Sequence, residues 1–124
     1  MTLEYLDFDY SEDEQGTGNW DAMASVHASR VPALAAEIEQ VLRWASQEFT
    51  GRQGAIDDGG DWDYDLQSQD DQGRPLPARF DSDSGKLALP ASAHGRTTVC
   101  LSLAGSVQFG AALTAAWLSS PGTS

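Results

Sequence analysis

One cysteine, Cys100, in 124 residues leaves no partner for an intrachain disulfide. The fold therefore has to be held by burial alone, and a lone thiol suits a reducing compartment. Set in the apolar run TTVCLSL, Cys100 reads as a small buried hydrophobe. Bases are scarce too. Seven Lys and Arg stand against 19 Asp and Glu, a formal net charge of −12. Such a chain repels phosphate backbones and anionic lipid, so neither nucleic acid nor membrane is an expected partner. No apolar run approaches the ~20 residues of a membrane span. The start, MTLEYLDFDY, has no basic segment leading into an apolar one, so it is not a secretory signal. The expected location is the cytoplasm.

Motifs that carry chemistry are missing as well. There is no G-x-S-x-G, H-E-x-x-H, P-loop or G-x-G-x-x-G pattern. The two histidines, His27 and His94, stand far apart with no nucleophile signature, and both read as surface residues. Gly105-Ser106 stands between a strand and a helix and reads as a cap. No cofactor is implied, and the chain is expected not to be an enzyme.

What the chain does have is enough apolar material for one core. Its length suits one domain, over residues 1–118, with a flexible tail at 119–124. A chain of 13.3 kDa with 40% hydrophobic residues and four tryptophans can fold without a structural metal. LEYLDFDY alternates, with Leu6, Phe8 and Tyr10 on one face of a first strand. Trp20, Ala22, Ala24 and Val26 alternate in a second strand, antiparallel to the first. Val31, Leu34, Ala35, Ile38, Val41, Leu42, Ala45 and Phe49 follow the 3.6-residue period of an amphipathic helix, opened by Pro32 and closed at Gly51. On this reading Glu37, Gln40, Arg43 and Gln47 lie off the apolar stripe. DWDYDLQ, ARF, KLALP and RTTVCLSLAG supply further strands, the last nearly uncharged and so expected at the centre of the sheet. DSDSG, with Gly85, is a hairpin turn. VQFGAALTAAWLS is a last helix, apolar all round, with Val107, Gly110, Leu113 and Trp117 near one face. The expected fold class is α+β: an antiparallel sheet of about five to six strands carrying two helices, in the order ββαββββα.

The acids are segregated. Residues 1–21 hold Glu4, Asp7, Asp9, Glu12, Asp13, Glu14 and Asp21 with no base. A second group runs from Asp57 to Asp83, opposed there by Arg74 and Arg79, whereas no charged side chain occurs from Thr97 to Ser124. The centre of the second group is DWDYDLQ, where Asp61, Asp63 and Asp65 alternate with Trp62, Tyr64 and Leu66. Three uses of this row compete: a solvated strand face, a face for a partner, or a divalent-cation site.

A calcium loop begun at Asp61 needs Gly at its sixth position and Glu at its twelfth, where this chain has Leu66 and Gln72. On an extended strand Asp61 and Asp65 are about 13 Å apart at Cα, too far to share one ion. The cation candidates are Asp57, Asp58, Asp61, Asp63 and Asp65.

The leading expectation is a small, acidic, non-enzymatic domain for protein–protein interaction, of which an immunity or inhibitor protein is a special case. It meets a basic protein surface through Asp61, Asp63, Asp65, Asp7 and Asp9. Alternatively it associates with itself through residues 97–118, with Trp117 and Leu118 in the contact. A divalent-cation-binding domain is the second expectation, and a small enzyme built on a carboxylate pair the third.

Overall fold

The structure is a computed structural model that describes residues 3, 5–14, 16–49, 53–54, 60–81, 83–92 and 95–118. Two strands come first, β1 (Asp9–Glu12) and β2 (Gly18–His27), antiparallel as expected. A single 3₁₀ turn, Ala28–Arg30, leads into helix α1 (Val31–Glu48). Five strands follow: β3 (Trp62–Gln69), β4 (Pro75–Leu76), β5 (Arg79–Asp81), β6 (Lys86–Ala88) and β7 (Arg96–Gly105). Helix α2 (Val107–Leu113) runs into a wider π turn, Thr114–Leu118. The chain is α+β, with a main sheet ordered β1-β2-β7-β3-β4 and β5-β6 as a separate two-stranded sheet. No helix among the described residues is long and apolar enough to cross a membrane.

The nearly uncharged β7 takes the central place, paired with β2 along its whole length and with β3 on its other side. Its inner side chains, Thr97, Val99, Leu101 and Leu103, are buried and alternate with half-buried outer ones. β2 does the same with Trp20, Ala22, Ala24 and Val26. Both helices cover this one inner face. α1 presents Val31, Leu34, Ile38, Val41, Leu42 and Ala45 to it. Pro32 lies in the first turn, and Phe49 N donates to Ala45 O at 3.0 Å to close the helix. Gly51, the residue expected to end it, lies outside the described residues.

Four details differ from the pattern reading, each for a physical reason. β4 consists of Pro75 and Leu76, and a proline without an N–H is tolerated there because the strand is at the sheet edge. The β5-β6 hairpin leaves the main sheet and is pinned to α1. Arg43 Nη2 donates to Gly85 O at 2.9 Å, and Leu87 N donates to Glu39 Oε1 at 3.0 Å. Gly85 turns this hairpin at φ +70°, as the DSDSG motif foretold.

The first strand is shorter than its alternation. Glu37 is only 8% exposed, and its Oε2 accepts from Leu6 N at 2.8 Å and Tyr5 N at 3.0 Å. Those amides are thereby lost to strand pairing, and Leu6 is drawn into the core. Glu37 is thus not off the buried face. It follows Leu34 by three residues and precedes Val41 by four, so it shares their side of the helix.

The last difference is in α2. Val107, grouped by period with Leu113 and Trp117, is 74% exposed while they are buried, and Phe109 takes the central place. Ser106 caps the helix as expected, its Oγ accepting from Phe109 N at 3.2 Å. Phe109 meets Phe49, Trp62, Trp20 and Trp44 at ring-centroid distances of 5.3, 5.7, 5.8 and 6.0 Å. A Cβ on Gly105 would stand 2.1 Å from the Phe109 ring, so only glycine lets the ring fold back against the end of β7.

Candidate functional site: an open acidic sheet face

Both helices occupy one side of the main sheet, so its other side is open among the described residues. Strand register fixes what stands there. Asp9 faces Asp21, Asp21 faces Ser102, and Ser102 faces Asp65, so one row crosses four strands. The next row reads Ser11, Asn19, Ala104 and Asp63. On the other side come Met23, Cys100 and Gln67, then Ser25, Thr98 and Gln69. His27 opposite Arg96 ends the face.

The pattern is a neutral strip along β7 that ends at Arg96, with carboxylates flanking its Ser102–Ala104 end, Asp9 and Asp21 on one side and Asp63 and Asp65 on the other. Across β7, Asp21 and Asp65 are about 10 Å apart at Cα, twice the strand spacing. Asp9 and Asp21 are direct neighbours, about 5 Å apart, and repel by roughly 0.8 kcal/mol in water. Solvent bears that cost, since both side chains are exposed. Met23, 68% exposed, is the large apolar group on the face.

The sequence candidates divide accordingly. Asp63 accepts from its neighbour's backbone, Tyr64 N, at 2.9 Å and from Gln53 Nε2 at 3.2 Å. Asp65 accepts from Gln67 Nε2 at 3.0 Å. Asp61 is half-buried, and its backbone carbonyl accepts from Ser106 N at 2.9 Å, tying the start of β3 to the start of α2. Asp7 is exposed in the segment before β1. Asp9 does not approach Asp63, because β2 and β7 lie between their strands. Asp57 and Asp58 lie outside the described residues, as does His94. Among the described residues no three His, Cys, Asp or Glu side chains converge as metal ligands.

Trp117 is buried, edge-on to Trp44 at 6.4 Å, and Leu118 is half-buried. The exposed side of the last helix is made by Val107, Gln108, Ala111, Thr114 and Ala115 instead. Cys100, expected in the core, is half-buried on the outer face, because alternation in β7 sends Val99 and Leu101 inward.

Sequence reasoning missed Asp21 and Met23 as part of the face. Both belong to a strand read for its buried alternates, and the signal was the polar register between them. His27 serves structure here: Ser29 N donates to its Nδ1 at 3.3 Å, capping the 3₁₀ turn before α1. Tyr64, on the inner side of β3, is raised above the ordinary tyrosine range by burial and then by the Asp63 charge. No protein-family model, curated protein or solved structure matches this chain.

Proposed function

We propose that this chain is a non-enzymatic, cytoplasmic protein-binding domain that presents its open sheet face to a basic protein surface. The observation that carries the reading is the register row Asp9, Asp21, Ser102, Asp65, with Asp63 beside it. Carboxylates flanking an uncharged strip give long-range attraction at the rim and cheap desolvation at the centre. Thr98, Cys100, Ser102 and Ala104 have small side chains, so a partner can approach the backbone plane closely. Strands of four, ten, ten and eight residues, about 3.4 Å per residue and about 4.8 Å apart, offer on the order of 520 Å². That is about two-thirds of the roughly 800 Å² each partner contributes to a standard interface. An inhibitor that covers the cationic site of a toxin is the special case this surface suits best.

The test is retention of a partner on the immobilised chain. A soluble extract of the native host is applied at ~20 mM salt and eluted at ~0.5 M, where the Debye length has shrunk to a few ångströms. The expected result is a basic protein retained at low salt, released at high salt, and absent from a column carrying the Asp21→Asn/Asp65→Asn double variant. Failure to retain any basic protein, or equal retention by the double variant, overturns the reading.

A further inference from the structure

A second surface lies around the edge of the sheet, on the helix side. β1 is the terminal strand of the main sheet, so one side of its backbone has no strand partner among the described residues. An unpaired strand edge is a template for another strand. Next to it runs a groove of ≈ 490 Å³ between β1 and α2, lined by Tyr10, Glu12, Trp20, Val107, Ala111 and Ala115 among others. Two of the large hydrophobic side chains left exposed lie there, Tyr10 at 57% and Val107 at 74%.

The groove is shaped by what its walls lack. Gly18 and Gly110 sit against the Trp20 indole, where a Cβ would stand 2.5 and 2.9 Å from its ring. The indole therefore lies flat beneath them as a floor, with Tyr10 tilted over it at 5.2 Å. The wall made by α2 and its π turn is Ala111, Thr114 and Ala115, all small and exposed. A strand laid along β1 would send alternate side chains into this space, beside Tyr10.

Charge selects the occupant. Glu12 is on the rim, Asp9, Asp13 and Glu14 are exposed alongside, and residues 1–21 contain no base. A second copy is disfavoured, because symmetric antiparallel β1–β1 pairing centred on Ser11 sets Asp9 opposite Asp13 twice over, and pairing centred on Tyr10 does the same with Asp7 and Asp13. The chain's own residues 119–124 carry no base to match the rim.

We propose that β1 and this groove receive an extended segment of a partner protein, which pairs with β1 as a further strand. That segment bears Lys or Arg on its outward positions and a large apolar residue seated beside Tyr10. Backbone pairing gives the affinity, and the groove and acidic rim give the selectivity. The proposal rests on the protein-binding reading but uses a different surface from the acidic face, so the two can fail separately.

The probe is a short, fluorescently labelled peptide alternating lysine with leucine, with both ends capped, followed by anisotropy at low salt. The expected result is saturable binding to the wild-type chain, with enhanced protection of β1 amides from exchange. Binding should weaken at least roughly tenfold with Ala111→Lys and with Val107→Lys. Both substitutions are at exposed positions, and circular dichroism verifies their folding. Binding should also weaken when alternate peptide nitrogens are methylated, and persist in Asp21→Asn/Asp65→Asn. If the peptide does not bind, or binds equally to both groove variants or in its methylated form, the proposal is overturned. Loss of binding in the Asp21→Asn/Asp65→Asn variant alone would move the site to the open face. Sedimentation showing a dimer that competes with the peptide would make the second copy the occupant.

Discussion

Glu37 is the residue on which the two ends of the core meet. A carboxylate 8% exposed on the packed side of a helix is tolerated only where donors compensate its lost hydration, and here the amides of Tyr5 and Leu6 do so. These bonds span more than thirty positions of sequence and decide where β1 begins. Glu37→Ala strands both amides beneath the side chains of the N-terminal segment, so it should cost about 2–4 kcal/mol. Glu37→Gln keeps an amide oxygen as acceptor and should cost less than half of that. Urea unfolding of the three proteins measures both values, and exchange of the Tyr5 and Leu6 amides should accelerate in the alanine variant before global unfolding. A change under about 0.5 kcal/mol in Glu37→Ala would mean the contact only accompanies packing and does not support it.

The elements differ in how plainly the sequence announces them, and the difference is physical. β2 and β7 alternate, and α1 has a polar side, so each pattern has a phase that solvent reads directly. Helix α2 has no polar side. Its period is visible but its rotation is not, which is why Val107, on the same period as Leu113 and Trp117, stands outside while they are buried. That rotation is fixed by the Ser106 cap and by Gly105, which leaves room for the Phe109 ring. The departure of β5-β6 from the main sheet is hidden for another reason, since it depends on Arg43 and Glu39 of a distant helix. Of the site, the alternation of Asp61, Asp63 and Asp65 was legible. The row joining Asp9, Asp21 and Asp65 was not, because strand order is a property of pairing between segments. The rotation of α2 can be checked directly. Phe109→Ala removes a fully buried ring from among four aromatic neighbours and should cost about 3–5 kcal/mol. Val107→Ala, two residues away, should change stability by no more than about 0.5 kcal/mol. Thermal or urea unfolding giving the opposite order would place Val107 in the core and Phe109 outside it.

At the scale of the whole molecule, charge and burial are sorted onto different surfaces. β7, with Arg96 as its one charged residue, occupies the middle, the helices close one side, and Asp9, Glu12, Asp21, Asp63 and Asp65 stand at the sheet edge and on the open face. With a net charge of −12, the folded state carries self-repulsion that salt relieves. Two consequences separate diffuse charge from a dedicated ion site. Raising monovalent salt should raise the unfolding temperature gradually, because screening acts on all the carboxylates together. At constant ionic strength, millimolar Ca²⁺, Mg²⁺ or Mn²⁺ against a chelator should leave the midpoint unchanged, since Asp21 and Asp65 stand on opposite sides of β7 and Asp9 is remote from Asp63. A true site filled at a hundred times its Kd would add about 2.7 kcal/mol, enough to move the midpoint by several degrees. A rise specific to one cation, abolished by Asp61→Asn or Asp63→Asn, would turn the aspartate row into a metal centre completed from outside the described residues. A flat response leaves the carboxylates available for a protein, because an open face not neutralised by a bound ion retains its full attraction for a basic surface.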